Sequence, residues 1–85
     1  MNIDHIESFI YVVEYKSIHK AANVLFLSQP TISARIKSLE ESLNAKLFIR
    51  SGRSLSLSKE GRHFLPYARD IVSLYRKSQI EIQTL

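Results

Sequence analysis

Two helix starts lie only eleven residues apart in this chain, and this spacing limits the folds that it can adopt. Ser17 precedes a short segment that ends near Leu25, and Ser28 precedes a second segment with Pro30 in its first turn. A serine before a helix accepts a hydrogen bond from a free backbone amide, and proline is tolerated there because no hydrogen bond is lost. The sequence therefore predicts two helices joined by a turn of about three or four residues.

Hydrophobic spacing places these helices in a small helical domain. Apolar residues recur at intervals of three and four between Asp4 and Tyr15, which predicts a first amphipathic helix. The same spacing predicts that the helix after Ser28 runs from about 29 to 43, and Asn44 follows where a left-handed residue can end it. A chain of 85 residues fits one compact domain of this kind.

Two short alternating runs follow the third helix. The segments KLFIR and SLSLS are separated by Ser51, Gly52 and Arg53, a combination typical of a hairpin turn. We therefore expect a basic two-stranded wing over about 47–57. The predicted fold class is mainly α, a winged helix-turn-helix of three helices and a two-stranded wing, over residues 1–58.

A long helix is predicted after the wing, over residues 59–85. Ser58 is a suitable N-cap, and we expect the helix to run from Lys59 to near Thr84, with a kink or a break at 62–66 because of Pro66. Its apolar stripe continues beyond the reach of a small core, which favours a partner helix. The predicted dimer interface consists of Ile71, Val72, Leu74, Tyr75, Ser78 and Ile82.

Basic residues are concentrated in the middle of the chain. The net charge is +4, and residues 16–62 carry nine Lys or Arg against three acids, whereas residues 1–15 carry three acids and no base. Such a surface favours an anionic partner. Because there is no cysteine and no apolar run long enough to span a membrane, we expect a cytoplasmic protein that does not attach to membranes.

The predicted winged helix-turn-helix indicates that the chain reads double-stranded DNA. A recognition helix presents short or hydrogen-bonding side chains at its first turns to base edges in the major groove, and the outer face of the 29–43 helix has these. Base contacts are expected from Gln29, Thr31 and Ser33. Contacts to the DNA backbone, or to the minor groove from the wing, are expected from Lys16, Ser17, Lys20, Ser28, Arg35, Lys37, Arg50 and Arg53.

In their order and spacing, three segments resemble the N-terminal DNA-binding domain and linker helix of LysR-type transcriptional regulators. These segments are AANVLFLSQPTIS, IKSLEESLNAKLFIR and LSLSKEG, and the resemblance covers essentially the whole chain. It implies that Pro30 also contacts bases, that Arg53 lies at the wing position and that Ala34 takes a base-contacting position often held by arginine. Ile18 stands where the family usually has an aromatic residue.

The resemblance also implies an assembly. Two chains would pair their long helices antiparallel, so that two winged domains bind the half-sites of a pseudo-palindromic operator. Members of the family carry a C-terminal effector-binding domain, which we expect to be absent from this chain. A small-molecule effector would therefore act only through that missing domain.

No catalytic or metal-binding constellation is visible in the sequence. His5, His19 and His63 lie far apart without cysteine, and no serine sits in a nucleophile elbow motif. We expect no enzyme activity and no cofactor. The competing functional class is a helical protein-protein interaction module that uses the same apolar stripe and has no nucleic-acid role.

Overall fold

A two-stranded sheet lies between three short helices and one long helix in the computed structural model, which describes residues 1–52 and 54–85. The helices are α1 (Ile3–Tyr15), α2 (Ile18–Leu25), α3 (Gln29–Leu43) and α4 (Lys59–Gln83), and the strands are β1 (Phe48–Ser51) and β2 (Ser54–Leu57). The predicted winged helix-turn-helix with a long following helix is confirmed. Arg53, a predicted wing contact, lies outside the described residues.

Each helix begins after a polar side chain that accepts a hydrogen bond from a backbone amide within its first turn. These N-caps are Asn2, Ser17, Ser28 and Ser58, with oxygen to nitrogen distances between 2.7 and 3.2 Å. The three serine caps are those that the sequence predicts. Because each cap satisfies an amide that would otherwise lack a partner, substituting one typically costs about 1 kcal/mol.

The first three helices each end at a residue in the left-handed region. Lys16, Phe26 and Asn44 have φ values of 53°, 57° and 52°, and the prediction for Asn44 is confirmed. This conformation reverses the chain within a few residues, so that only two residues separate α1 from α2 and three separate α2 from α3. The connections between the three helices are therefore short and fixed.

The hydrophobic core is centred on Phe9 of α1. Its ring lies 5.4 Å from that of Phe48 in β1 and 5.5 Å from that of Phe64 in α4, measured between ring centroids. The predicted stripe of α3 faces the same core, because Ile32 and Leu39 are fully buried. One core thus joins the helix-turn-helix, the wing and the start of α4.

A hydrogen-bonded junction links α3, the wing and α4. We call Glu40, Lys46, Leu47, Ser58 and Gly61 the Leu47 junction. The Leu47 N–H donates to a Glu40 carboxylate oxygen at 2.7 Å, the Ser58 N–H donates to the Leu47 carbonyl at 3.0 Å, and the Ser58 hydroxyl donates to the Lys46 carbonyl at 2.6 Å. A Cβ atom on Gly61 would lie 2.2 Å from the Leu47 carbonyl oxygen. The junction therefore requires glycine at position 61.

The predicted break at Pro66 is not found, because α4 is one helix of 25 residues. Pro66 cannot donate to the carbonyl of Arg62, but both residues are exposed. Water can therefore take the place of the missing donor, which explains why the helix is not divided. A bend at this position stays a prediction.

We predict that Gly61→Ala lowers the free energy of unfolding by about 1–3 kcal/mol, because the added methyl group overlaps the Leu47 carbonyl. In an exposed helix the same change would raise stability by up to about 1 kcal/mol. Urea denaturation followed by circular dichroism measures the difference. Ser73→Ala, at an exposed position of α4, is the control and should not destabilise the chain. If Gly61→Ala has the same free energy of unfolding as the unmodified chain, the Leu47 junction can widen without an energetic cost.

Candidate nucleic-acid interface

The first turns of α3 present the side chains that the sequence predicts for base contacts. Gln29, Pro30, Ser33 and Ala34 are exposed, and Thr31 is half-buried. Three of the four exposed side chains are short, so the backbone of α3 can approach another surface closely. The exposed start of α3 is therefore a surface on which most side chains are short.

The Ser28 cap limits what Thr31 can do. The Ser28 hydroxyl accepts from the Thr31 N–H at 3.2 Å, and the two hydroxyl oxygens lie 2.8 Å apart. The Thr31 hydroxyl is thus engaged within the chain, and its methyl group is the part left for an apolar contact. The cap at Ser28 is observed, and its contact with DNA stays a prediction.

A cleft of about 480 Å³ separates α3 from the wing. Its lining includes Ser33 and Lys37 of α3, Arg50 of β1, and Lys46 between them. The structure thus brings two predicted α3 contacts and one predicted wing contact to the same cleft. The sequence analysis missed Lys46, although it directly precedes the wing segment and its side chain is 82% exposed.

Four predicted DNA-contacting cations have no acidic partner within residues 1–52 and 54–85. Among the described residues, ion pairs form only between Lys46 and Glu40 and between Arg76 and Glu7. Lys16, Lys20, Lys37 and Arg50 are all exposed, and their charges are therefore available to an external anion. Ser17 lies between two of them and caps α2.

Arg35 is placed differently from the other predicted contacts. It is half-buried, and its Nη1 donates to the buried Ser8 hydroxyl of α1 at 3.3 Å. Its guanidinium therefore helps to hold α3 against α1. Because a guanidinium has five N–H donors, a phosphate contact is still possible and stays a prediction.

A side-chain contact between α2 and α3 was missed by the sequence analysis. Nδ1 of His19 lies 2.8 Å from Nε2 of Gln29, and Nε2 of His19 lies 3.4 Å from Nδ2 of Asn23. His19 and Asn23 stand four residues apart on one face of α2, which was the available signal. The partner Gln29 is ten residues away, and no spacing rule connects it to His19.

The predicted dimer stripe divides into a buried and an exposed part. Val72 is 5% exposed and belongs to the core of its own chain, so its side chain offers little surface to a partner. The expectation that Val72 is exposed is therefore wrong, whereas its contact with a partner chain stays a prediction. The other members of the stripe are exposed, namely Ile71, Leu74, Tyr75, Ser78 and Ile82.

The described residues include neither a metal cluster nor a membrane helix. No group of three or more His, Asp or Glu side chains in residues 1–52 and 54–85 could hold a metal ion. Within the same ranges, no helix combines the length and the apolar character needed to cross a membrane.

The family model described as bacterial regulatory helix-turn-helix protein, lysR family, matches residues 3–62. The chain belongs to the LysR family. The matched segment includes α1 to α3, the wing and the start of α4. The family consists of transcription regulators rather than enzymes, and its helix-turn-helix is a DNA-binding domain. The resemblance seen in the sequence is therefore confirmed.

Relatives with similar sequences are longer regulators. The HTH-type transcriptional regulator CitR of Bacillus subtilis (strain 168) is 40% identical over 82 residues, which are 96% of this chain and 28% of CitR. The HTH-type transcriptional regulator SoxR of Arthrobacter sp. (strain TE1826) is 42% identical over 74 residues, which are 87% of this chain and 26% of SoxR. The chain thus spans about a quarter of the length of these relatives.

Two solved structures with the same fold contain DNA. The CbnR_DBD-DNA complex matches with a TM-score of 0.93 and 33% identity, covering 99% of this chain and 97% of that chain. The BenM_DBD/catB site 1 DNA complex matches with a TM-score of 0.92 and 33% identity, covering 99% of this chain and 94% of that chain. Nearly the whole chain therefore has the fold of domains crystallised with DNA.

Proposed function

We propose that this chain binds double-stranded DNA with sequence specificity, as the winged helix-turn-helix of a bacterial transcription regulator. The observation that carries the proposal is the cleft between α3 and the wing, where Ser33 and Lys37 lie opposite Arg50. Base-reading and phosphate-binding groups share one surface there, as a DNA-binding domain requires. In this arrangement α3 (Gln29–Leu43) enters the major groove, and the wing contacts the backbone or the minor groove.

Base readout is assigned to the exposed first turns of α3. A glutamine can donate to N7 and accept from N6 of adenine, and a serine can donate to or accept from either base of a pair. Gln29 and Ser33 are therefore the side chains that discriminate most strongly. Pro30, Ala34 and the methyl group of Thr31 permit close approach and apolar contact, for example with the methyl group of thymine.

Phosphate binding is assigned to the cations without acidic partners. Lys16 and Lys20 lie on either side of the N-terminus of α2, where free backbone amides also favour an anion. Lys37 and Arg50 lie at the α3 cleft. The caps Ser17 and Ser28 can add hydroxyl contacts, and Arg35 and Arg53 complete the proposed backbone and minor-groove set.

Dimerisation through α4 is the second part of the proposal. On both sides of Arg76, which pairs with Glu7, α4 carries large apolar side chains that are exposed. Leu74 and Ile82 are 65% and 68% exposed, and a second α4 packed antiparallel would cover them together with Ile71, Tyr75 and Ser78. Such a dimer would bind a pseudo-palindromic operator with one winged domain on each half-site.

We further propose that residues 1–58 bind DNA and that residues 59–85 act as the linker and dimerisation helix. Because the chain spans only about a quarter of CitR and SoxR, the activity of a whole regulator and its response to an effector are also proposals. An effector, if one acts, would bind outside these two segments.

We expect binding to a duplex to weaken steeply with salt, because each neutralised phosphate contributes about −0.9 to the slope of log affinity against log salt concentration. Fluorescence anisotropy with a labelled duplex at several salt concentrations measures this slope. Lys20→Ala should make the slope shallower by about 0.9, whereas the control Lys77→Ala on α4 should leave it unchanged. Binding without salt dependence, or no binding, would favour the protein-protein interaction module instead.

Ser33→Ala should lower affinity for a duplex selected from a random pool by about 1–3 kcal/mol and leave affinity for random DNA nearly unchanged. The reason is that a base contact is lost while the phosphate contacts remain. Ser42→Ala is the matched control, because Ser42 is an exposed serine nine residues further along α3, on the other side of the helix. An equal loss on both duplexes would assign Ser33 to phosphate binding.

Ile71→Glu should convert the dimer to a monomer in sedimentation-velocity ultracentrifugation, because a charge would be placed within the proposed apolar interface. Ile80→Glu is the matched control. Ile80 is 63% exposed and lies nine residues after Ile71, on the opposite side of α4 at about 100° per residue. If Ile71→Glu remains a dimer and Ile80→Glu becomes a monomer, the interface lies on the face of α4 that carries Ile80.

A further inference from the structure

We propose that His19 is a positioning residue that fixes the amide of Gln29 for base readout, and this inference rests on the proposed DNA-binding function. Gln29 is the first residue of α3, and its exposed side chain meets the ring of His19 from α2 at 2.8 Å. The contact crosses the turn between the two helices. It is a hydrogen bond between two exposed polar side chains at the predicted point of contact with base edges.

The protons of the ring decide the direction of this bond. A neutral imidazole has one N–H donor and one acceptor, so its two nitrogens cannot both accept from amide N–H groups. The contact with Gln29 is the shorter, at 2.8 Å against 3.4 Å for Asn23. We therefore assign Nδ1 as the acceptor from Gln29 and place the ring proton on Nε2. Nε2 can then donate to Asn23 when the Asn23 amide is rotated by 180°, which puts its oxygen in the place of Nδ2.

This bond leaves Gln29 with the groups that adenine requires. One of its two Nε2–H groups is held by His19, and the other remains free beside the Oε1 acceptor. Adenine in the major groove offers N7 as an acceptor and N6 as a donor, which match one free N–H and one free oxygen. In the reversed orientation the oxygen would bond to His19, which would occupy one of its two lone pairs, whereas the observed orientation leaves both lone pairs free to accept from adenine N6.

Positioning also lowers the cost of binding. A glutamine has three rotatable side-chain bonds, and ordering such a side chain on complex formation opposes binding. Because His19 already orders the amide in the free chain, part of this cost does not arise when DNA binds. Asn23 acts one step further away, since it favours the ring tautomer whose Nδ1 accepts.

The test uses a duplex selected from a random pool by the unmodified chain, together with variants in which each base pair is changed. The base pair read by Gln29 is the one whose preference Gln29→Ala removes. His19→Ala should lower affinity for the selected duplex about 3- to 10-fold and weaken the preference at that base pair alone. His19→Asn should restore most of the loss, because the asparagine oxygen occupies the place of Nδ1 on the same γ carbon.

Two comparisons separate positioning from a general effect on the fold or on charge. In the Gln29→Ala background, His19→Ala should cause no further loss, because the side chain that it positions is gone. Lys20→Ala, the neighbouring control, should weaken binding to selected and random duplexes alike. A His19→Ala variant that keeps the base preference, or that adds its full loss to that of Gln29→Ala, would overturn the proposal.

A measurement without DNA tests the contact itself. In the free chain labelled with ¹⁵N, one side-chain amide proton of Gln29 should exchange with water several-fold more slowly than those of Gln83, and His19→Ala should remove the difference. Equal exchange in the unmodified chain would overturn the positioning role but leave the DNA-binding function standing. Failure to select any preferred duplex would overturn both, whereas a base preference that Gln29→Ala leaves intact would overturn only the role of His19.

Discussion

The Leu47 junction is the constraint on which the positions of the wing and of α4 depend. The backbone of Leu47 is held on one side by the Glu40 carboxylate of α3 and on the other by the N–H of Ser58, immediately before α4. Gly61 lets the first turn of α4 approach the Leu47 carbonyl closely. Because β1 follows Leu47 directly, the same bonds set the distance between α3 and the wing, and therefore the shape of the α3 cleft.

The helices and the wing could be predicted because their signals are local. Serine caps, a four-three apolar spacing and the left-handed Asn44 each act within one or two turns, and the structure has them where the sequence indicates. Contacts between elements could not be predicted in this way. Of the kink or break expected at Pro66, the break is not found. Arg62 and Pro66 are exposed, so water can take the place of the missing donor, and this exposure is a tertiary property.

At the candidate site, too, local features could be predicted and contacts between elements could not. Helical periodicity predicts which face of α3 is exposed, and Ser33 lies at the edge of that face, whereas Gln29 is exposed because it is the first residue of the helix. Periodicity does not predict that Arg35 bonds to Ser8, 27 residues earlier, or that His19 bonds to Gln29 across the turn. The position of Val72 in the apolar stripe of α4 indicates that its side chain is covered. It does not distinguish cover by its own domain from cover by a second chain, and Val72 was therefore assigned to the partner interface.

The undivided α4 has a consequence for the geometry of the DNA. A helix held to its own domain by the core and by the pair of Arg76 with Glu7 cannot turn independently of α3. In a dimer joined through α4, the protein would thus set both the distance and the rotation between the two recognition helices. DNA completes a turn in about 10–10.5 base pairs, so one extra base pair between half-sites rotates one of them by roughly 35°. Such a dimer would select operators by the length of their spacer, at positions that no side chain touches.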